Sequence, residues 1–174
     1  MKFMTFAFSL VFSLLGAGAY AAPPQSNANA QEQINSQIGI ASAMATIRSQ
    51  EAAADFIKRP DVGTTAFGPL SSESRQKFVD SLVFTEKGLA SFRYAELEAE
   101  LTPTQIYKLL SLFGAQHAAF ALDNARVETA LDRKIRDTVT ISSDYPDYMC
   151  YPPATCVRNM FTICIGSNCG MQEP

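Results

Sequence analysis

The sequence predicts a mainly α protein: a small bundle of about four helices with a disulfide-stapled, mostly irregular C-terminal tail. Three observations carry that expectation. Apolar residues recur at helical spacing through the middle of the chain. Helix start and stop residues bracket those stretches. All four cysteines, Cys150, Cys156, Cys164 and Cys169, crowd into the last stretch, where the helical period has disappeared.

Residues 1–21 read as an export signal. Lys2 gives a positive start, Phe3 to Leu15 is apolar apart from Thr5, Ser9 and Ser13, and Ala19-Tyr20-Ala21 is a small-x-small cleavage pattern. Cleavage is expected between Ala21 and Ala22. Cutting one residue later would place Pro23 just after the scissile bond. The apolar core is shorter than the roughly 18–20 residues a bilayer span needs, which argues against an uncut anchor. The cleavage site has no cysteine and the n-region no Arg-Arg pair, against lipoprotein and twin-arginine routes. The expected location is periplasmic or extracellular, with a bacterial look to the signal. Residues 22–30 are Pro, Asn, Ala, Gln and Ser, and read as a flexible mature N-terminus.

The helical body is expected over residues 31–137. Ile34, Ile38, Ala41 and Ala45 share one helical face, and the alanine-rich run to Ala54 favours helix by propensity. Lys58 and Arg59 suit a helix end, and Pro60 stops it. A loop, Asp61 to Pro69, follows. Ser71 or Ser72 then caps a second helix with Glu73 in its first turn and Phe78, Val79, Leu82 and Val83 as its stripe. Gly88 is read as its end. Leu89 to Tyr94 alternates and permits a short strand, while Leu97 and Leu101 bring back a helical spacing. Thr102-Pro103-Thr104-Gln105 is the clearest local signal: a cap, a proline for the first turn and a glutamine to close a capping box. Ile106, Leu109, Leu110 and Phe113 form the stripe behind it, and Gly114 fits a C′ position. Asp123 is read as the cap of a last helix with Val127, Leu131 and Ile135 aligned. Val139 and Ile141 suggest a short extended piece, and residues 138–174 form the Cys-rich tail.

Composition narrows the function. The net charge is −3, and losing the signal removes one lysine and no acid. A mildly acidic chain with a single histidine is a poor match for nucleic acid or anionic lipid. No later segment is long and apolar enough to span a membrane.

In an exported chain, four cysteines confined to one tail read as two disulfides, and sequence leaves all three pairings open. The C-x5-C-x7-C-x4-C spacing lacks the close C-x2-C pairs of a tetrathiolate zinc site or a redox motif. No metal site or cofactor is expected, and no catalytic motif is found. His117 lies among Ala115, Ala118, Ala119 and Phe120 and reads as a packed structural residue. Glu96, Glu98 and Glu100 read as a solvated acidic surface rather than an acid–base pair. Asp144 and Asp147 flank Tyr145-Pro146 and read as a turn.

The tail also concentrates Tyr145, Tyr148, Met149, Tyr151, Met160 and Phe161 among few charges. Such side chains are enriched in binding surfaces. The leading expectation is an exported, non-catalytic protein that contacts a macromolecular partner through this stapled tail, or a groove beside it, with Tyr145, Tyr148, Tyr151 and Phe161 at the contact. Two alternatives stand beside it. One is a precursor whose Cys-rich peptide is freed near Arg133-Lys134 or Arg136, as in toxins and bacteriocins. The other is a small hydrolase using His117 with Asp123 or Glu128.

Overall fold

The computed structural model describes residues 27–138, 144–151 and 155–170, with side chains from Glu32 onward. The expected signal, residues 1–21, lies outside them, as do the extended piece at Val139 and Ile141 and the start of the flexible stretch. From Asn27 that stretch is already helical.

Helices and strands are mixed, which corrects the expectation of a mainly α bundle with an irregular tail. The order is α1 (Asn27–Ala43), α2 (Gln50–Ile57), α3 (Ser72–Asp80), β1 (Val83–Thr85), β2 (Gly88–Arg93), α4 (Ala95–Glu100), α5 (Pro103–Ser111), α6 (Ala130–Arg136), β3 (Asp144–Tyr151), β4 (Thr155–Ile165) and α7 (Gly166–Cys169). The four strands form one antiparallel sheet in the order β1-β2-β4-β3. The tail therefore supplies half the strands, and β4 sits between β2 and β3. The signal for β4 was present in Thr162-Ile163-Cys164-Ile165, a β-branched run that the cysteine spacing obscured.

The first helical stretch is two helices rather than one. Ser49 caps α2 by accepting from the Ala52 amide, and the intervening Ile47 is buried with its amide on the Leu112 carbonyl at 2.9 Å. Ser71 caps α3 as expected, but α3 ends at Asp80. Gly88 instead opens β2, at φ +123°, a conformation costly for any other residue. The Thr102–Gln105 capping box and Pro103 start α5 as the sequence indicated. Gly114 follows at φ +68°, and a Cβ there would lie 2.3 Å from the Ala41 carbonyl oxygen of α1. The helix expected to start at Asp123 is α6, capped by Thr129 with Asp132 closing the box. Ile135 is buried, but Leu131 is 52% exposed, so the expected stripe is not one face.

One aromatic-rich core joins helices to sheet. Phe67, Phe78, Phe92 and Phe113 are fully buried and meet edge-on or tilted at centroid distances of 5.8–6.2 Å. Each such ring contributes about 2–3 kcal/mol on burial. The cross-strand partners Phe92 and Ile163 face this core with Ile165. Cys164, partnered by Ser91 on β2 and Tyr145 on β3, faces the other way. A second small cluster lies there: Ala90, Cys150, Cys164 and Cys169, with Tyr145 and Cys156 against it.

Candidate functional site

The distal β3–β4 hairpin folds back on its own sheet. Cys156 and Cys164 lie eight residues apart on one strand, yet their Cα atoms are 5.9 Å apart. A straight strand of that length would separate them by about 26 Å. The turnover is made at a corner where register skips from Pro146↔Ile163 to Tyr148↔Arg158, setting Asp147 against four residues, 159–162. Both corner residues Asp147 and Phe161 adopt left-handed φ, 64° and 63°. The Asp147 carboxylate holds the corner. It accepts from the Phe161 amide at 2.9 Å and from the Tyr94 hydroxyl at 2.7 Å, while the Tyr94 amide donates to the Phe161 carbonyl. The Phe161 amide, then Tyr94, hold the Asp147 carboxyl below its usual range. Burial, then the bond to Asp147, push the Tyr94 hydroxyl up. The Tyr-Pro-Asp segment read as a turn is thus a bulged edge strand, where proline is tolerated because its missing N–H faces no partner.

Two disulfides fix the folded-back arm: Cys150–Cys169 ties β3 to α7, and Cys156–Cys164 spans the corner. Beyond the corner, Met149 pairs with Val157 and Tyr151 with Thr155, so these side chains share the face opposite the bridges. Among the described residues, the exposed large apolar side chains are Ile40, Met44 and Leu131 elsewhere, and Tyr148, Tyr151, Val157, Met160 and Phe161 on the arm. Tyr151 is 63% exposed and Phe161 48%. Phe161 also meets Tyr94 edge-on at 6.4 Å and lies under the Arg93 guanidinium at 5.9 Å. Tyr145 behaves differently from its expected partners. It packs against the cysteine cluster and touches the Tyr148 ring at 6.2 Å, which places it under the arm rather than on its outer face. Sequence reasoning missed Val157, Asp147 and Tyr94. The first was hidden by the assumption of an irregular tail. The other two are linked across 53 residues, which no local pattern reveals.

A groove of about 460 Å³ lies between α1, the β1–β2 turn and α7, and no residue of the arm lines it. Arg48, Glu86, Lys87, Ser42, Ser167 and Asn168 line it. Asn168 braces the floor by donating to the Leu89 carbonyl at 2.8 Å and accepting from Thr85 Oγ1 at 2.6 Å through its own carbonyl.

His117 follows α5 in a 3-10 segment, Gln116–Ala121, and its carboxylate neighbour is Asp144 at the start of β3 rather than Asp123 or Glu128. Nε2 and Oδ2 are 3.7 Å apart, beyond hydrogen-bond length, with the side chains 13% and 2% exposed. Burial lowers the imidazole pKa and Asp144 opposes that shift. The two side chains meet where the 3-10 segment packs against the start of β3. The three glutamates of α4 each have a separate structural partner: Glu96 meets Arg93, Glu98 accepts from the Asn124 amide, and Glu100 accepts from the Ser71 amide and from the hydroxyls of Ser71 and Ser74. No two are poised on a common substrate position. The sulfurs of Cys150, Cys164 and Cys169 lie within 4.8 Å of one another, but all are oxidised and carry no thiolate charge for a metal.

No family model matches the chain, and no curated protein or solved structure matches it either. Among the described residues, no helix is long and apolar enough to cross a membrane.

Proposed function

We propose that this is an exported, non-catalytic binding protein whose folded-back β3–β4 arm docks a protein partner. The partner is one that presents an extended segment to the outer edge of β3 and covers Tyr151, Val157, Met160 and Phe161. The observation that carries the reading is the concentration of exposed aromatic and apolar side chains on an arm fixed by two covalent bridges and a hydrogen-bonded corner. Elsewhere on a soluble surface such side chains are scattered singly.

Three physical arguments support it. β3 ends the strand order, and among the described residues no strand pairs with its outer edge, so main-chain donors and acceptors remain for strand addition. A pre-ordered arm loses little conformational entropy on binding. Arg158 is the one basic residue of the arm, so a neutral or mildly acidic apolar segment is the matching chemistry. Export is supported by the signal-like residues 1–21 and by the two disulfides, which persist in oxidising compartments.

The packing of β4 weighs against the precursor alternative. Ile163 and Ile165 are fully buried in the core shared with the helices, so freeing the tail would strip the sheet of β3 and of the inner strand β4.

A photo-crosslinking residue at position 151, with position 131 as exposed control, tests the proposal in the exporting cells. Adducts with one protein specific to position 151, whose purified form binds the wild type but loses at least about tenfold affinity for Tyr151→Ala, support it. No adduct at 151 beyond that at 131 contradicts it, and adducts only with this same chain would show self-association through the edge instead.

A further inference from the structure

Both disulfides sit on the same side of the sheet, and their sulfurs are not equally accessible. Cys150, Cys164 and Cys169 are 1%, 0% and 1% exposed, whereas Cys156 is half-buried. Cys150 and Cys156 are register partners across β3 and β4, so one bridge lies directly beside the other. The Cys164 sulfur is within 4.8 Å of both sulfurs of the Cys150–Cys169 bridge. Exchange requires a thiolate to approach a disulfide sulfur along the axis of its bond, at a rate set by thiolate fraction, leaving group and access, and this proximity supplies the first condition.

We infer that the two bridges form an exchange pair, with Cys156 as the entry point and Cys164 as the relay to the inner Cys150–Cys169 bridge. The chemistry uses a small-molecule thiol as the reductant. Its thiolate attacks Cys156 Sγ, forming a mixed disulfide at Cys156 and breaking the Cys156–Cys164 bond. The bonding electron pair leaves on Cys164 Sγ, now a thiolate facing the second bridge. That thiolate attacks one of the two inner sulfurs. Attack on Cys150 Sγ forms Cys150–Cys164 and releases the Cys169 thiolate. Attack on Cys169 Sγ forms Cys164–Cys169 and releases the Cys150 thiolate. The internal step conserves the number of disulfides, and no further oxidant or reductant enters it.

The consequence is mechanical. A thiol that cannot touch the inner bridge nevertheless opens it. Attack at either sulfur breaks the covalent link between β3 and α7, the element carrying the groove residues Ser167 and Asn168. Burial in an apolar cluster disfavours the Cys164 thiolate, so the relay is slow and accelerates with rising pH.

The test treats the native wild-type chain with limiting glutathione, traps free thiols with N-ethylmaleimide at intervals, and maps bridged and alkylated peptides. The expected result is alkylation or glutathione at Cys156 together with a new Cys150–Cys164 or Cys164–Cys169 peptide, and alkylation at the released inner cysteine. Alkylation confined to Cys156 and Cys164, with Cys150–Cys169 intact throughout, overturns the inference. A Cys156→Ala variant supplies the Cys164 thiol without reductant. Incubated at raised pH, it is expected to exchange among three sulfurs, and retention of Cys150–Cys169 alone counts against the relay. If that variant does not fold, the wild-type map decides alone.

Discussion

Asp147 and Phe161 face each other across the corner of the β3–β4 arm, both in left-handed backbone conformation, with the carboxylate of one accepting from the amide of the other at 2.9 Å. An aspartate tolerates that conformation through local hydrogen bonding, whereas a phenylalanine has no such compensation of its own. The carboxylate supplies it from across the corner. The strain is of order 1 kcal/mol per residue and is held by Asp147, Tyr94 and the bridges around it.

The corner should respond in a graded way to its acceptor. Tyr94→Phe removes one hydroxyl donor and is expected to cost about 1 kcal/mol in urea denaturation. Asp147→Asn keeps a carbonyl oxygen and tolerance of left-handed φ, so it should destabilise less than Asp147→Ala. An alanine variant as stable as wild type would show that the corner is held by the bridges alone.

Asp132 gives the fold an acid-sensitive joint between α5 and α6. Burial would raise its pKa, but bonds from Thr104 and Thr129 outweigh that and hold the carboxyl far below its ordinary 3.8. A depressed carboxylate stabilises the fold fully above the unfolded value and loses that contribution as pH falls through the folded value. Asp132→Asn is therefore expected to cost about 1–3 kcal/mol at pH 7. The gap to wild type should narrow as the pH drops below about 4. Denaturation curves at pH 7 and pH 3 measure this directly.

His117 acts in the opposite range. Its folded pKa lies below the ordinary value because burial outweighs Asp144. The neutral ring then stabilises the fold above an unfolded pKa near 6.5, and that contribution is lost as pH falls through the folded value. Wild-type melting temperature should drop between pH 7 and pH 5, and His117→Gln should flatten that slope. An unchanged slope would place the sensitivity in another group.

The outer face of the arm is exposed, so Tyr151→Ala and Val157→Ala should each change stability by less than about 0.5 kcal/mol. A much larger loss, read by thermal denaturation, would mean these side chains hold the arm rather than a partner.

Helix starts were the most legible part of the sequence, because Ser71 and the Thr102–Gln105 box act through residues within one turn. The sheet was not. Pairing of β2 with β4 joins Ser91 to Cys164 across 73 positions of chain, and no local spacing encodes it. The cysteines drew attention to the right segment but concealed its strands, since a stapled tail and a stapled strand share one spacing. The exposed aromatics Tyr148, Tyr151 and Phe161 were legible as residue types. Only the fold-back shows that Tyr145 belongs beneath the arm and Val157 on its outer face.

The central claim is that the free edge of β3 receives a partner strand, and amide hydrogen exchange tests it most directly. With the crosslinked partner purified and added back to the mature protein, the alternate, outward-facing amides among residues 148–151 should slow by at least about tenfold while those of α5 stay unchanged. Unaltered exchange along 148–151 in a saturated complex would contradict strand addition and move the binding surface away from the arm's edge.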